Sequence, residues 1–308
     1  MEIIMEKKQL DNILKKISLE YEKIRLDELV LQTNSFTNTI YSVGEKYILR
    51  ICTKKSNEKN FIRASKFCIN HQDILRTPKT YYSQLCENET GMYFTLIEKV
   101  RGNLLTSVWT SLDSDQKRNI IGQLATEMKI IHNIEDDEFS DIFLQPGDWK
   151  AKFHYDINMK LQMLLEQNVI EDDFYYLILN YLNDNIDSLN EANFSICHSD
   201  LHFDNIMLTD SNNIVIFDYD RLRKASIDYE LDVLNRMCYR PTSVLHLDKK
   251  FSIDMNLVES LGEYYPQILQ FKNINKRLKI YGIKQYLNIL SFVKTVDLKK
   301  EIIDFIRQ

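Results

Sequence analysis

The sequence contains few of the residues that interrupt regular structure, with seven glycines and four prolines among 308 residues. It has no internal repeat and no low-complexity linker. The five cysteines are widely spread and form no C-x-x-C pair. This distribution argues against a disulfide framework and against a zinc knuckle.

Long apolar runs and an excess of positive charge are also missing. No stretch reaches about 18 uninterrupted apolar residues, and the opening MEIIMEKKQL carries acids where a secretory leader would be basic and then apolar. We therefore expect a cytoplasmic protein without a membrane partner. The net charge of -6, with both signs interspersed, gives no reason to expect affinity for a phosphate polymer, so no nucleic-acid partner is expected.

The composition is that of a folded globular protein, with 44% hydrophobic and 27% charged residues. A chain of 308 residues is longer than a typical single domain and short for three. Two lobes that share a cleft are the natural expectation.

The first hundred residues predict a small sheet with one long helix, after a helical lead-in over residues 7–22. IYSV and KYILRI are rich in β-branched and aromatic residues and are split by the turn Gly44-Glu45. Apolar residues then recur at three- and four-residue steps from 57 to 70, which indicates a helix. TPKTYYSQLC and GMYFTLIEKV supply two further strands.

After Arg101-Gly102-Asn103 the pattern becomes helical, with Ser114 as the predicted N-cap of the first long helix. Two short apolar runs interrupt the helices, FSIC at 194–197 and NIVIF at 213–217. These runs predict strands within a mostly helical lobe.

Residues 198–220, HSDLHFDNIMLTDSNNIVIFDYD, carry the chemistry. His198, Asp200 and Asn205 follow one strand, while Asp218 and Asp220 follow the next. Mg²⁺ prefers oxygen ligands, so a carboxylate and a side-chain amide can hold it against nucleotide phosphates. A second carboxylate kept off the metal can accept the proton of an acceptor hydroxyl.

This arrangement resembles the aminoglycoside phosphotransferase and choline kinase branch of the protein-kinase-like fold. HSDLHFDN matches the family pattern H-G-D-L-H-x-x-N except that Ser199 replaces glycine. The resemblance implies that Asp200 is the catalytic base and that His198 braces the loop. By the same resemblance, Asn205 and Asp218 are Mg²⁺ ligands.

The resemblance also assigns roles to two later acids. IFDYD matches a family strand that ends in Asp-aromatic-acid, so Asp220 is expected to support a second metal or a bound water. Asp232, in IDYELDVLN, matches the acid that fixes the catalytic loop.

In the first lobe the resemblance rests on shorter matches. The stretch from Asn38 to Tyr41 is similar to the family's N-x-x-Y at the nucleotide loop, although residues 33–38 contain no glycine. Arg50 stands where the family has a cation over the phosphates. Glu58 is the only acid between Arg50 and Asp73, so either Glu58 pairs with Arg50 or the pair is absent.

IEKVRGNLL resembles the family hinge between lobes. There the backbone from Glu98 to Val100 is expected to meet the purine, and Gly102 to permit the turn.

The predicted fold is α+β and bilobal, protein-kinase-like, with a small antiparallel-sheet lobe and a larger, mostly helical lobe. Its predicted parts are a nucleotide-binding lobe over 1–97, a hinge over 98–103 and a catalytic, acceptor-binding lobe over 104–308. The expected activity is transfer of the γ-phosphoryl group of ATP or GTP, with Mg²⁺, to a hydroxyl of a small acceptor.

An aminoglycoside-like acceptor, with antibiotic resistance as its consequence, is the first expectation. Choline, ethanolamine, homoserine or another metabolite is the alternative, and a non-catalytic spore-coat or scaffold protein of the same fold is the second alternative. Glu230, Glu259 and Glu263 are acids that could attract a cationic acceptor.

Overall fold

The computed structural model describes residues 7–21, 24–25, 28–34, 38–86, 92–139, 145–241, 251–293 and 296–307. The chain divides into two compact units. The first unit comprises Met1–Ser107 and Asp204–Leu222, and the second comprises Val108–Phe203 and Arg223–Gln308. Within the described ranges, no helix is both long and apolar enough to cross a membrane. The lobe boundaries expected from the sequence stay a prediction.

The first unit contains a five-stranded antiparallel sheet of strand order β1-β2-β3-β5-β4. The strands are β1 Leu29–Asn34, β2 Asn38–Val43, β3 Tyr47–Cys52, β4 Thr80–Gln84 and β5 Phe94–Glu98. These include the strands predicted on either side of Gly44, which adopts a positive φ of 54° in the turn. The helices α1 Lys7–Glu20 and α2 Glu58–His71 belong to this unit, together with most of the short helix α3 Leu105–Val108, which ends one residue into the second unit.

Strand β3 shows how the sheet separates a core face from a cleft face. Leu49 and Ile51 are fully buried and pack in one cluster with Ile13 and Ile17 of α1. Side chains alternate between the two faces of a strand. Arg50, which lies between Leu49 and Ile51, therefore projects from the opposite face, where it lines a cleft.

A second, three-stranded sheet of the first unit has the order β6-β8-β9. Its strands are β6 Gly102–Leu104, β8 Ile206–Thr209 and β9 Ile214–Ile216. A Cβ at Gly102 would lie 2.3 Å from the backbone oxygen of Leu208. Glycine is therefore required at 102 by the close approach of β6 to β8, in addition to its φ of 151°.

The second unit is mostly helical and holds a two-stranded antiparallel sheet of β7 Phe194–Cys197 and β10 Arg223–Ser226. Its helices among the described residues are α4 Ser114–Asn133, α5 Pro146–Glu166, α6 Asp172–Asn185, α7 Leu231–Tyr239, α8 Leu257–Tyr264, α9 Ile274–Val293 and α10 Val296–Arg307. The predicted strand at 194–197 is confirmed, and the run at 213–217 corresponds to β9.

The start of α4 differs by one residue from the expectation. Asp113, not Ser114, is the N-cap, and its carboxylate accepts the backbone N–H groups of Asp115 and Gln116 at 2.9 and 2.8 Å. The side chain of Gln116 accepts the N–H of Asp113 in return, which completes a capping box. A carboxylate at this position also interacts favourably with the helix dipole.

Candidate active site

A cleft of about 540 Å³ lies within the first unit. This volume is in the usual range for small-molecule sites. The apolar part of its lining includes Ile40, Ile48, Ile97, Met207 and Phe217. The polar part includes Asn38, Arg50, Asp204, Asn205 and Asp218. One surface thus combines apolar walls with cationic, carboxylate and amide side chains.

Asn205 and Asp218 are brought to this cleft by the β8–β9 hairpin. Ile206 pairs with Ile216, and beyond that pair the N–H of Phe217 donates to the backbone oxygen of Asn205 at 2.9 Å. Asp218 follows directly in the left-handed region, with φ 55° and ψ 62°. A non-glycine residue rarely adopts this conformation, and such residues cluster at functional sites. Two of the three sequence-predicted metal ligands, Asn205 and Asp218, therefore line the same cleft.

Arg50 and Asp220 form the main ion pair of the first unit's cleft region. Arg50 Nη2 donates to Asp220 Oδ1 at 3.1 Å, and the same nitrogen lies 4.0 Å from Asp218 Oδ1. The other oxygen of Asp220 accepts from Asn38 Nδ2 at 2.7 Å and from Asn57 Nδ2 at 3.3 Å. The Asp220 side chain is 6% exposed, whereas that of Asp218 is 46% exposed.

These contacts determine the charge state of the pair. Burial alone would raise the pKa of Asp220, but the Arg50 guanidinium and the two amide donors outweigh burial and lower that pKa below its ordinary value. Burial would lower the pKa of Arg50, and the Asp220 carboxylate reverses this and raises it. Both groups are therefore charged at neutral pH.

This arrangement bears on two predictions made from the sequence, the open alternative for Glu58 and the metal role of Asp220. Glu58 begins α2, but among the described residues the ion pairs of Arg50 are with Asp218 and Asp220 and not with Glu58. Neither Glu58 nor Asp220 belongs to the described lining of the cleft. The oxygens of Asp220 accept three hydrogen bonds, so we do not assign it to a metal.

The segment resembling a hinge lines the cleft with Glu98, Lys99 and Val100. The N–H of Glu98 donates to Lys79 O at 2.8 Å, and that of Lys99 donates to Lys46 O at 2.9 Å. Neither N–H is therefore available to a purine. In the predicted nucleotide loop over 33–38, residues 35–37 lie outside the described residues.

In the second unit, the loop after β7 carries His198, Ser199 and Asp200. The N–H groups of His198 and Ser199 donate to the two carboxylate oxygens of Glu230 at 2.7 and 2.8 Å. Ser199 has φ 65°, which explains why the family pattern has glycine at this position. His198 is fully buried, whereas the Asp200 side chain is 17% exposed.

The turn after Asp200 is closed by His202. Its N–H donates to the backbone oxygen of Asp200 at 2.9 Å, and its Nε2 lies 3.8 Å from the Asp200 carboxylate. The Asp200 side chain is thus retained at a partly exposed position beside an imidazole.

Glu230 is the residue that sequence reasoning placed incorrectly. Glu230 is 1% exposed, so it is not available to attract a cationic acceptor. Its carboxylate accepts the backbone N–H of His198 and so holds the catalytic loop, which is the role that the resemblance assigned to Asp232. Asp232 instead pairs with Arg236 at 2.9 Å, one helical turn away. Burial would raise the pKa of Glu230, but His132, whose Nε2 is 3.5 Å away, His198 and the Ser199 N–H together lower it.

The chain belongs to the phosphotransferase enzyme family, whose family model matches residues 31–251. Solved structures with the same fold include the streptomycin–ATP–APH(2'')-IIa ternary complex, with a TM-score of 0.69 and 14% identity over 100% of this chain and 98% of that chain. The GDP complex of aminoglycoside 2'-phosphotransferase-IIIa gives a TM-score of 0.71 and 12% identity over 98% of each chain. The protein-kinase-like fold expected from the sequence is confirmed.

A curated relative matches a shorter part of the chain. A subtelomeric hrmA-associated cluster protein of Aspergillus fumigatus is 29% identical over 115 residues, which are 35% of this chain. The chain covers only 22% of that protein's length.

Proposed function

We propose that this chain is a small-molecule kinase that transfers the γ-phosphoryl group of ATP or GTP to a hydroxyl of an acceptor. The observation that carries the proposal is the cleft whose lining includes Arg50, Asn205 and Asp218 together. Membership of the phosphotransferase enzyme family supports it. The structural neighbours include complexes with ATP and with GDP, which supports a nucleotide co-substrate.

The nucleotide would use the two kinds of cleft lining separately. The apolar walls that include Ile40, Ile48 and Ile97 suit a purine base, because they remove its faces from water. The guanidinium of Arg50 suits phosphate oxygens, because its N–H donors form charge-assisted hydrogen bonds with them. The carbonyl groups of the segment from Glu98 to Val100 are the proposed contacts of the base edge.

The donor set of the cleft fits a magnesium ion. Asn205 offers an amide oxygen and Asp218 a carboxylate that is 46% exposed, and hard cations prefer oxygen ligands. Asn205 and Asp218 would hold the ion. A bound Mg²⁺ would neutralise charge on the nucleotide phosphates.

Asp200 is the proposed base, five residues before Asn205 in the chain. Its carboxylate would orient the acceptor hydroxyl and accept its proton as the hydroxyl oxygen bonds to the γ-phosphorus and the bond to the leaving nucleotide breaks. Its partial exposure permits an acceptor to approach. His198 would brace the loop from its fully buried position.

An aminoglycoside is the acceptor class that we propose first. Three of the structural neighbours are complexes of other phosphotransferases with streptomycin, gentamicin and kanamycin, respectively. Resistance to such an antibiotic would be the biological consequence.

The test is an acceptor screen with nucleotide diphosphate release as the readout. Purified protein, Mg²⁺ and ATP or GTP would be incubated with aminoglycosides, choline, ethanolamine, homoserine and sugars. We expect at least one compound to give acceptor-dependent release of nucleotide diphosphate. Asp200→Asn and Asp218→Ala should each abolish this release. Asp187→Asn, which alters an exposed acid of the second unit, is the matched control. Full turnover in either site variant would contradict the assignment.

A further inference from the structure

Asp220 is a buried carboxylate whose role the proposed reaction leaves open. Its side chain is 6% exposed, two residues beyond the 46% exposed Asp218. An ionised carboxylate is costly to bury unless it is paired and hydrogen-bonded. The burial of this carboxylate so near the cleft therefore calls for an explanation.

The partners of Asp220 come from three separate elements of the first unit. Asn38 begins β2, Arg50 lies in β3 and Asn57 directly precedes α2. The two amides donate to Oδ2, at 2.7 and 3.3 Å, and leave Oδ1 to accept from Arg50 Nη2 at 3.1 Å. The neutral donors thus fix the orientation of the carboxylate, and the orientation directs Oδ1 at the guanidinium.

Arg50 depends on Asp220 more than on its other neighbours. Asp218 lies beyond hydrogen-bond distance at 4.0 Å, and the Phe61 ring centroid is 5.4 Å from the guanidinium carbon. A guanidinium carries five N–H donors. Within the part of the chain that the structure describes, Asp220 is the hydrogen-bond acceptor of Arg50. The other N–H donors of Arg50 are therefore left for a ligand in the cleft.

A metal-ligand role explains these contacts less well. Mg²⁺ would have to compete with two amide donors at Oδ2 and with a guanidinium at Oδ1. Asp220 is also not one of the described lining residues, whereas Asp218 is.

We propose that Asp220 is a positioning residue that holds Arg50 against the nucleotide phosphates, with Asn38 and Asn57 fixing its carboxylate. This inference rests on the proposed function and deepens it. It assigns to an acid of the β9 loop the task that the sequence sought in Glu58 of α2. It also means that one short segment, from Asp218 to Asp220, serves the metal and the arginine with different carboxylates.

The test is a double-mutant cycle on binding of metal-free ATP, measured by calorimetry in the presence of a chelator. Asp220→Asn is nearly isosteric and removes the charged acceptor of Arg50. We expect it to weaken ATP binding about tenfold or more, which is the size of one charge-assisted hydrogen bond. In an Arg50→Met background the same substitution should change the affinity less than about twofold, because neighbours that act as a unit are not additive.

Asp187→Asn is the matched control, because its side chain is 77% exposed and pairs with Lys150 of the second unit. Thermal denaturation would verify that each variant is folded. Should Asp220→Asn not fold, Asn57→Ala removes one amide from Oδ2 and should weaken ATP binding less, again only when Arg50 is present.

The inference fails if Asp220→Asn and Arg50→Met lower the affinity for ATP independently, so that their fold-losses multiply in the double variant. It also fails if Asp220→Asn leaves metal-free ATP binding unchanged and raises only the Mg²⁺ concentration that ATP binding requires. The second result would identify a metal ligand. Absence of ATP binding by the unaltered protein would overturn the proposed function together with this inference. Binding by the unaltered protein with multiplying losses would overturn the inference alone.

Discussion

Asp220 in the first unit and Glu230 in the second are both buried acids whose pKa lies below its ordinary value, yet their carboxylates accept hydrogen bonds from different kinds of donor. Asp220 accepts from side chains, two amides and one guanidinium. Glu230 accepts from backbone, the N–H groups of His198 and Ser199. One acid therefore orients a cation, and the other fixes the course of the main chain.

In both units, orientation and the proposed chemistry belong to different acids. In each unit the buried acid has a more exposed counterpart, Asp218 at 46% and Asp200 at 17%. A buried acid costs free energy that only fixed donors offset, so it is rigid. An exposed acid can meet a metal or an acceptor. The chain places the two tasks on different residues.

The largest expected effect on stability comes from Glu230→Gln. The amide of the glutamine leaves one of the two backbone N–H donors without an acceptor and removes the charge that His132 faces. We expect the free energy of unfolding to fall by about 3 kcal/mol. Urea denaturation measures this change. Glu171→Gln is the control, because Glu171 is an exposed acid paired with Lys299 and its loss should change stability little. Equal effects of the two substitutions would show that Glu230 does not anchor the loop.

The stability lost in Glu230→Gln should also depend on pH. Because the pKa of Glu230 is lower in the folded chain than its ordinary value of 4.5, its stabilisation is complete above that value and is lost as the pH falls through the folded-state pKa. The charged or titratable groups that face it are His132, His198, Cys197 and Tyr265. The stability difference between the unaltered protein and Glu230→Gln should therefore shrink in acid. A difference that stays constant well below pH 4.5 would show that the charge is not the cause.

A smaller effect is expected from Asn57→Ala. Asn57 precedes α2, but its amide donates to Asp220 and does not cap the helix. Loss of this hydrogen bond should lower the free energy of unfolding by about 1 kcal/mol. A loss as large as that of Glu230→Gln would mean that Asp220, like Glu230, fixes the fold rather than a side chain.

The smallest effect is expected from Ser199→Gly. Ser199 has φ 65°, a conformation that costs a non-glycine residue about 1 kcal/mol, partly offset by the greater freedom of glycine when unfolded. We expect a gain in stability of about 0.5 kcal/mol, measured by urea denaturation. Asn212→Gly is the control at φ 59°, where asparagine already tolerates the backbone and the gain should be smaller. A clear loss in Ser199→Gly would indicate a role for the hydroxyl.

Local pattern predicted much of the fold. The strands at 38–52 and 194–197 and the helix over 58–71 follow from alternation and helical spacing within short windows. Asn205 and Asp218 could be predicted to meet because one hairpin joins them.

The anchoring acids could not be placed in the same way. The Arg50–Asp220 contact spans 170 residues and the His198–Glu230 contact spans 32, so no local period reports them. Glu230 and Asp232 lie two residues apart in one acidic segment, and only the packing of His132 and the loop amides against Glu230 distinguishes them. The signal available in the sequence was Ser199 in a glycine position, which implies a constrained loop that needs an acceptor for its amides.

The most direct test of the proposed reaction separates binding from transfer in Asp200→Asn. With saturating Mg²⁺, nucleotide and an acceptor found in the screen, the variant should bind Mg²⁺-ATP with the affinity of the unaltered protein and should transfer phosphate about 10²–10⁴-fold more slowly in a single turnover. Transfer at the unaltered rate would contradict the role of Asp200 as base.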